Sequence, residues 1–240
     1  MMNLLRIEGY KARRFIPFYI CLGIIVLMCI DWFCQGLKQE AIDYWNYRTM
    51  HDGFAEGIQD CSFSFLYGMI IAWFAGIDFT NRTLHRAIVS GNKRWKIVVS
   101  KLISTSVMIF IIHLFTLVGE TAVFGKVFGF NFVGFSMRDL LWLGVVTLQI
   151  IAMTAFYLLI TILCGNVFTS LFACVIVSAL GGNVLRNFLG GNFIYEHSFF
   201  CLAKSSSAAD LIPCAVCAII ATVGLVVVTS LIFNKKDVAN

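Results

Sequence analysis

An all-α integral membrane protein of six transmembrane helices is the fold class this sequence predicts. The 240 residues have a mean hydropathy of +0.87. Only 13% are charged and 60% are hydrophobic. Soluble domains carry roughly a quarter charged residues, so this chain has too little polar surface to cover a water-soluble globule. Lipid must solvate much of it. The third observation is a set of apolar runs, each near the length that about 30 Å of hydrocarbon requires of a helix, about 20 residues.

The elements follow in chain order as one transmembrane domain over 1–240. Residues 1–14, "MMNLLRIEGYKARR", intersperse Leu4, Leu5, Ile7 and Tyr10 with Arg6, Lys11, Arg13 and Arg14. That mixture suits a short amphipathic helix in the membrane interface, its cations near anionic lipid heads. Pro17 then marks a bend into the first span. The six spans fall at about 15–34, 61–77, 97–119, 140–164, 167–185 and 211–233. Between the fourth and fifth only Gly165-Asn166 intervenes, which forces a tight helical hairpin. Each span is expected to be helical, because backbone N–H and C=O groups find no water in lipid. Residues 35–60 read as an acidic, aromatic outer loop. Residues 181–209 combine glycines at 181, 182, 190 and 191 with Phe188, Phe193, Ile194, Phe199 and Phe200. They read as a re-entrant helical hairpin before span six, where irregular backbone is tolerated only if buried in protein. The first apolar run lacks a small-x-small cleavage site, so no cleavable leader is expected.

Charge placement sets the orientation. Twelve cations lie on one side: Arg6, Lys11, Arg13, Arg14, Arg82, Arg86, Lys93, Arg94, Lys96, Lys101, Lys235 and Lys236. Lys38, Arg48, Lys126, Arg138, Arg186 and Lys204 lie on the other, with ten of the 13 acids. The positive-inside rule puts both termini in the cytosol, in agreement with an even number of spans. The net charge of +5 is therefore membrane topology, and a nucleic-acid partner is not expected.

Several chemistries are excluded or disfavoured. Of nine cysteines, Cys21, Cys29, Cys164, Cys174, Cys214 and Cys217 sit in apolar runs, where Cys acts as a small hydrophobe. Cys214-x-x-Cys217 has no second pair, and the four histidines (51, 85, 113 and 197) are scattered, so no metal site is expected. Cys34, Cys61 and Cys201 lie near span ends on one side, which leaves a disulfide among them open. "GETAVFGKV" at 119–127 has the wrong spacing for a P-loop, and Val follows its Lys where Ser or Thr is needed. His197-Ser198 is poor geometry for a base and nucleophile. Two ionisable groups in or at the third span, His113 and Glu120, are functional candidates by their position alone. Gln149 and Thr154 in the fourth suit interhelical hydrogen bonds, and Glu196 and His197 suit a structural role.

The segment "DFTNRTLHRAIVSGNKRWKIVVSK", 78–101, carries six cations and no acid between Arg82 and Lys101. Burying such charges costs about 2.5–3.5 kcal/mol each on insertion scales, so the segment is cytosolic. Leu84, Ala87 and Ile88 share a face at helical spacing, Thr83 or Asn81 is placed to cap, and Ser90-Gly91-Asn92 ends the turn. Trp95 stands at belt depth. A two-turn surface helix with apolar and cationic faces suits docking to another protein.

This segment resembles the stretch between the second and third spans of type-2 ABC transporter permeases. Matching positions are Asp78, Thr83, Leu84, Gly91, Arg94 and Lys101; Arg82 stands where Gly is usual, and His85 intervenes before Arg86. Small permeases of bacterial lantibiotic-immunity and bacitracin-resistance exporters are similar in length and pattern. The resemblance implies an ATPase-coupling helix drawing on Asp78, Arg82, Thr83, Leu84, His85, Arg86, Ala87, Ile88, Gly91 and Arg94. It implies two separate ATPase subunits that hold ATP and Mg, with no cofactor and no catalysis in this chain. It further implies a bacterial plasma-membrane location and a second permease copy or homologue. The path for an amphipathic cargo would lie at the dimer interface, lined by Phe65, Trp73, His113, Phe168 and Phe172. A rival reading is a membrane sensor or immunity protein that binds a peptide without transporting it. A third, a membrane-embedded enzyme, would use His113 or Glu120 for its chemistry.

Overall fold

The computed structural model describes residues 1–35, 49–60, 64–81, 83–189 and 192–235. Among these the ordered elements are all helical: α1 Met2–Arg13, α2 Ile16–Gln35, α3 Met50–Gln59, α4 Ser64–Thr80, α5 Thr83–Val89, α6 Arg94–Phe128, α7 Met137–Cys164, α8 Val167–Leu189, α9 Phe193–Glu196 and α10 Ala208–Lys235. Four of them, α2, α6, α7 and α10, are long and apolar enough to cross a membrane; α4 and α8 carry shorter apolar stretches, Phe65–Thr80 and Val167–Leu180.

α6 and α7 form the centre. Each buries half or more of its most apolar stretch, whereas α2 and α10 bury less than a fifth of theirs. α10 lies along α7, α2 along α6, and α4 packs against both α7 and α8. Small residues spaced four apart on α4 explain the last contact. A Cβ on Gly68 would stand 3.1 Å from Cys174 Cβ, and one on Gly76 would stand 3.1 Å from the Val167 Cα. Ala72 between them is fully buried. Such a stripe lets helix backbones approach closely, which is how helices gain dispersion energy where lipid removes the hydrophobic drive.

Local chemistry fixes the helix ends. Gly165 adopts φ 67°, and its N–H donates to Thr161 O at 2.9 Å. The Asn166 side chain then accepts from Phe168 N at 2.9 Å and caps α8. The two-residue hairpin expected at this point is present. Pro17 is the second residue of α2, a position that needs no backbone donor.

Three expectations are corrected. Much of the 35–60 loop lies outside the described residues, but 50–59 is the helix α3, packed along α6. Thr49 and Asp52 form its capping box, with Thr49 N donating to Asp52 Oδ2 at 2.6 Å. The third span, expected at 97–119, is part of a helix running from Arg94 to Phe128, because neither Gly119 nor Gly125 is required to break it. Gly119 serves packing instead, since a Cβ there would overlap Cys29 of α2.

The third correction concerns 181–209. Gly181 and Gly182 lie inside α8, which continues to Leu189, so they do not interrupt the helix. No helical pair follows among the described residues. A single turn, α9, leads into an irregular stretch whose Leu202 and Ala203 are buried. Gln149 holds it: Nε2 donates to Ser198 O at 3.2 Å and Cys201 O at 3.0 Å, and Oε1 accepts from Ala203 N at 2.9 Å. Trp142 Nε1 adds a 2.7 Å bond to Ala203 O. The buried backbone polar groups are thus partnered by two α7 side chains. Gly190 and Gly191 lie outside the described residues.

Candidate coupling site

The basic segment resolves into a short helix seated on a buried ionic cluster. α5 begins at Thr83, directly after α4 has ended with Asn81 N bonded to Ile77 O at 2.9 Å. The Thr83 hydroxyl turns back to Asp78, reaching its carbonyl oxygen at 3.3 Å and also its Oδ1. At the other end Gly91 adopts φ 85°, a conformation open to glycine without a Cβ penalty. Asn92 Nδ2 donates to Ala87 O and to Ser90 Oγ, both at 3.0 Å. Helix start and stop are therefore both tied down.

Leu84 is buried at 3% exposure, with Ala87 and Ile88 half-buried beside it. His85, Arg86 and Val89 are exposed, Val89 at 71%. The apolar face points into the protein, and an exposed basic edge with an apolar tip faces outward. Arg82 lies outside the described residues.

Beneath α5 sit four charges from three helices. Lys101 on α6 is buried, and its Nζ bonds Asp78 Oδ2 and reaches Glu8 Oε1 at 3.4 Å. Lys11 of α1 bonds Asp78 Oδ1 at 2.8 Å and lies 3.6 Å from Glu8 Oε1. Two cations and two carboxylates balance. A buried Lys or Asp alone is costly, so each charge here depends on its opposite for burial. Asp78 is the hub, with one oxygen facing Lys101 and the other shared by Lys11 and Thr83. Asp78, Thr83 and Lys101, singled out by pattern, meet in space. Glu8 and Lys11 complete the cluster and were not singled out.

Arg94 lies elsewhere in this assembly. Its Nη1 bonds Phe233 O and, at 3.1 Å, Asn234 O, while its guanidinium stands 5.4 Å from the Phe233 ring centroid. The carbonyls at a helix C-terminus lack intrahelical donors, and a cation there also complements the helix dipole. Arg94 thus fastens the last helix to the start of α6.

A family model described as ABC-2 family transporter protein matches residues 4–185. The chain belongs to that family. No curated protein and no solved structure matches it. As an ABC-2 permease it is a multi-pass membrane component of an ABC transporter, non-catalytic in itself, and the family works with ABC ATPase subunits. The match takes in the whole ionic cluster and α5.

The other candidate residues of the permease lie away from this site. Phe65 and Trp73 on α4 are 43% and 40% exposed, and Phe168 and Phe172 on α8 are 73% and 72% exposed. α4 and α8 are neighbours, so these four aromatics belong to one packed helix pair and are left uncovered by it. His113 is fully buried on α6, its Nδ1 3.4 Å from the Tyr67 hydroxyl, and its Nε2 has no hydrogen-bond partner among the described residues. Glu120, two turns further, lies under α3, where a Cβ on Gly57 would stand 3.3 Å from its Oε2. Cys34 and Cys201 are free thiols, and Cys61 lies outside the described residues.

Proposed function

We propose that this permease belongs to an ATP-driven exporter in a bacterial plasma membrane. It crosses six times with both termini cytosolic, α4 and α8 supplying the two shorter spans. Two permeases, identical or homologous, pair through the exposed aromatic faces of α4 and α8, and two ATPase subunits bind below. The cargo is amphipathic, such as a peptide antibiotic, a bacteriocin or a lipid-like molecule, in keeping with aromatic rather than charged candidate path residues.

The observation that carries this reading is the mounting of α5. A merely solvated basic loop needs charge but no anchoring. Here a seven-residue helix is pinned at Thr83 and Asn92, its inner residue Leu84 is packed, and His85, Arg86 and Val89 are presented. Nucleotide-driven movement of the ATPase subunits would push this helix. The ionic cluster under it would pass the movement to α1, α4 and α6.

Co-purification from native membranes in mild detergent tests the proposal, comparing wild type with Val89→Glu and Arg86→Glu. Both residues are exposed, so the fold should survive, which a melting curve checks. A P-loop ATPase that accompanies the wild type and is lost from both variants supports coupling through α5. If no ATPase accompanies the wild type, the exporter reading fails and the peptide-sensor reading takes its place.

A further inference from the structure

A concavity lies beside α1, on a flank next to the one that faces the ionic cluster. It is a groove of about 480 Å³ between α1, the start of α2 and α6, walled by Gly9, Arg13, Tyr19, Ile103, Val107 and Ile111 among others. Ile103 and Val107 are 41% and 53% exposed on a helix that qualifies as a membrane span. The floor is open at Gly9, where a Cβ would meet nothing within 4 Å. From Ile103 to Ile111 the apolar wall rises about 12 Å.

Charge says what fits. Arg13 is the one charged residue lining this groove, and it is exposed. The Tyr19 hydroxyl donates to Arg13 O at 3.0 Å and fixes the turn between α1 and α2. Arg6 and Arg14 are also exposed, whereas Glu8, the only acid on α1, is buried against Lys101. The exposed charged side chains of α1 are therefore all cationic, beside a hydrocarbon-sized slot.

We propose that this groove binds one anionic phospholipid, with an acyl chain along Ile103–Ile111 and the phosphate on Arg13. The consequence follows from α1 having two working faces. Gly9 and Arg13 line the groove, while Glu8 and Lys11 hold Asp78 and Lys101. A lipid seated in the groove braces the helix that supports the coupling site, so the proposal ties membrane composition to coupling.

Native mass spectrometry of the purified full chain, released from nanodiscs of equal phosphatidylglycerol and phosphatidylcholine, tests this without an ATPase partner. Its outcome is therefore independent of the exporter reading. The wild type should retain one phosphatidylglycerol in preference to phosphatidylcholine. Arg13→Gln should lower that preference about fivefold, the effect of one basic residue at an anionic surface. Gly9→Leu should abolish the retained lipid by filling the slot. Gly23→Leu, at an equally open site on α2 outside the groove, should behave as wild type. Equal retention in Gly9→Leu would mean only annular lipid and overturn the site. An unchanged preference in Arg13→Gln would overturn the anionic assignment, whatever Gly9→Leu does.

Discussion

Lys101 of α6 and Asp78 of α4 are bonded to each other inside the protein, at 2% and 3% exposure, though they stand 23 positions apart in the chain. Neither could be buried alone at tolerable cost. Their pairing is what lets a polar cluster sit beneath α5.

Removing one partner should therefore hurt more than removing both. Lys101→Met should lower stability by about 3–5 kcal/mol, because it leaves two buried carboxylates, Asp78 and Glu8, with Lys11 as their one remaining cation. The double variant Lys101→Met with Asp78→Leu should recover a substantial part of that. Thermal unfolding in detergent reads both. A double variant as unstable as the sum of its singles would remove the basis for treating the pair as a unit.

The clasp between Arg94 and the end of α10 predicts a local effect. Arg94→Ala should cost about 1.5–3 kcal/mol, the range for hydrogen bonds made by charged groups. It should also raise hydrogen exchange specifically at residues 230–235. Uniform exchange across α10 in the variant would place the fastening elsewhere.

Close approach of α4 to α8 makes Gly76 intolerant of bulk. Gly76→Leu would drive a side chain toward the Val167 backbone, 3.1 Å from where its Cβ must stand. A loss of about 1–3 kcal/mol is expected from such overpacking. Gly144→Leu, where a Cβ meets nothing within 4 Å, should be near neutral. Melting temperatures of the two variants against wild type decide this.

Gln149 holds the irregular stretch before α10 by three hydrogen bonds. Gln149→Leu should release it. With Cys201 as the sole cysteine, maleimide labelling should then become several-fold faster. An unchanged labelling rate would show that Trp142 and packing suffice.

How much of this was legible depended on whether the signal was local. Asp78, Thr83 and Gly91 stand within one segment, and the pattern of turn and apolar spacing there is readable because the helix is short and bounded. Lys101 was readable as a position, though not as a partner. Glu8 and Lys11 could not be placed, since their contacts to Lys101 and Asp78 span 93 and 67 residues and depend on how α1 lies across α6. α3 had a local signal that went unused: Thr49-x-x-Asp52 followed by Gly53 and Gly57, a capping box ahead of small residues at one-turn spacing. Polar composition made that stretch look like loop. Gly181-Gly182 misled in the opposite direction, because glycine is tolerated within membrane helices better than within soluble ones.

The continuity of α6 has a mechanical meaning. Thirty-five helical residues make a rod about 52 Å long, with Arg94 gripped by α10 at one end and Phe124 lodged against Gly53 of α3 near the other. No proline or positive-φ residue interrupts it. A tilt of about 5° about its Arg94 end would carry the far end sideways by about 4–5 Å, close to one helical turn. A lever of that length needs only a small push at one end to change which side chains meet at the other.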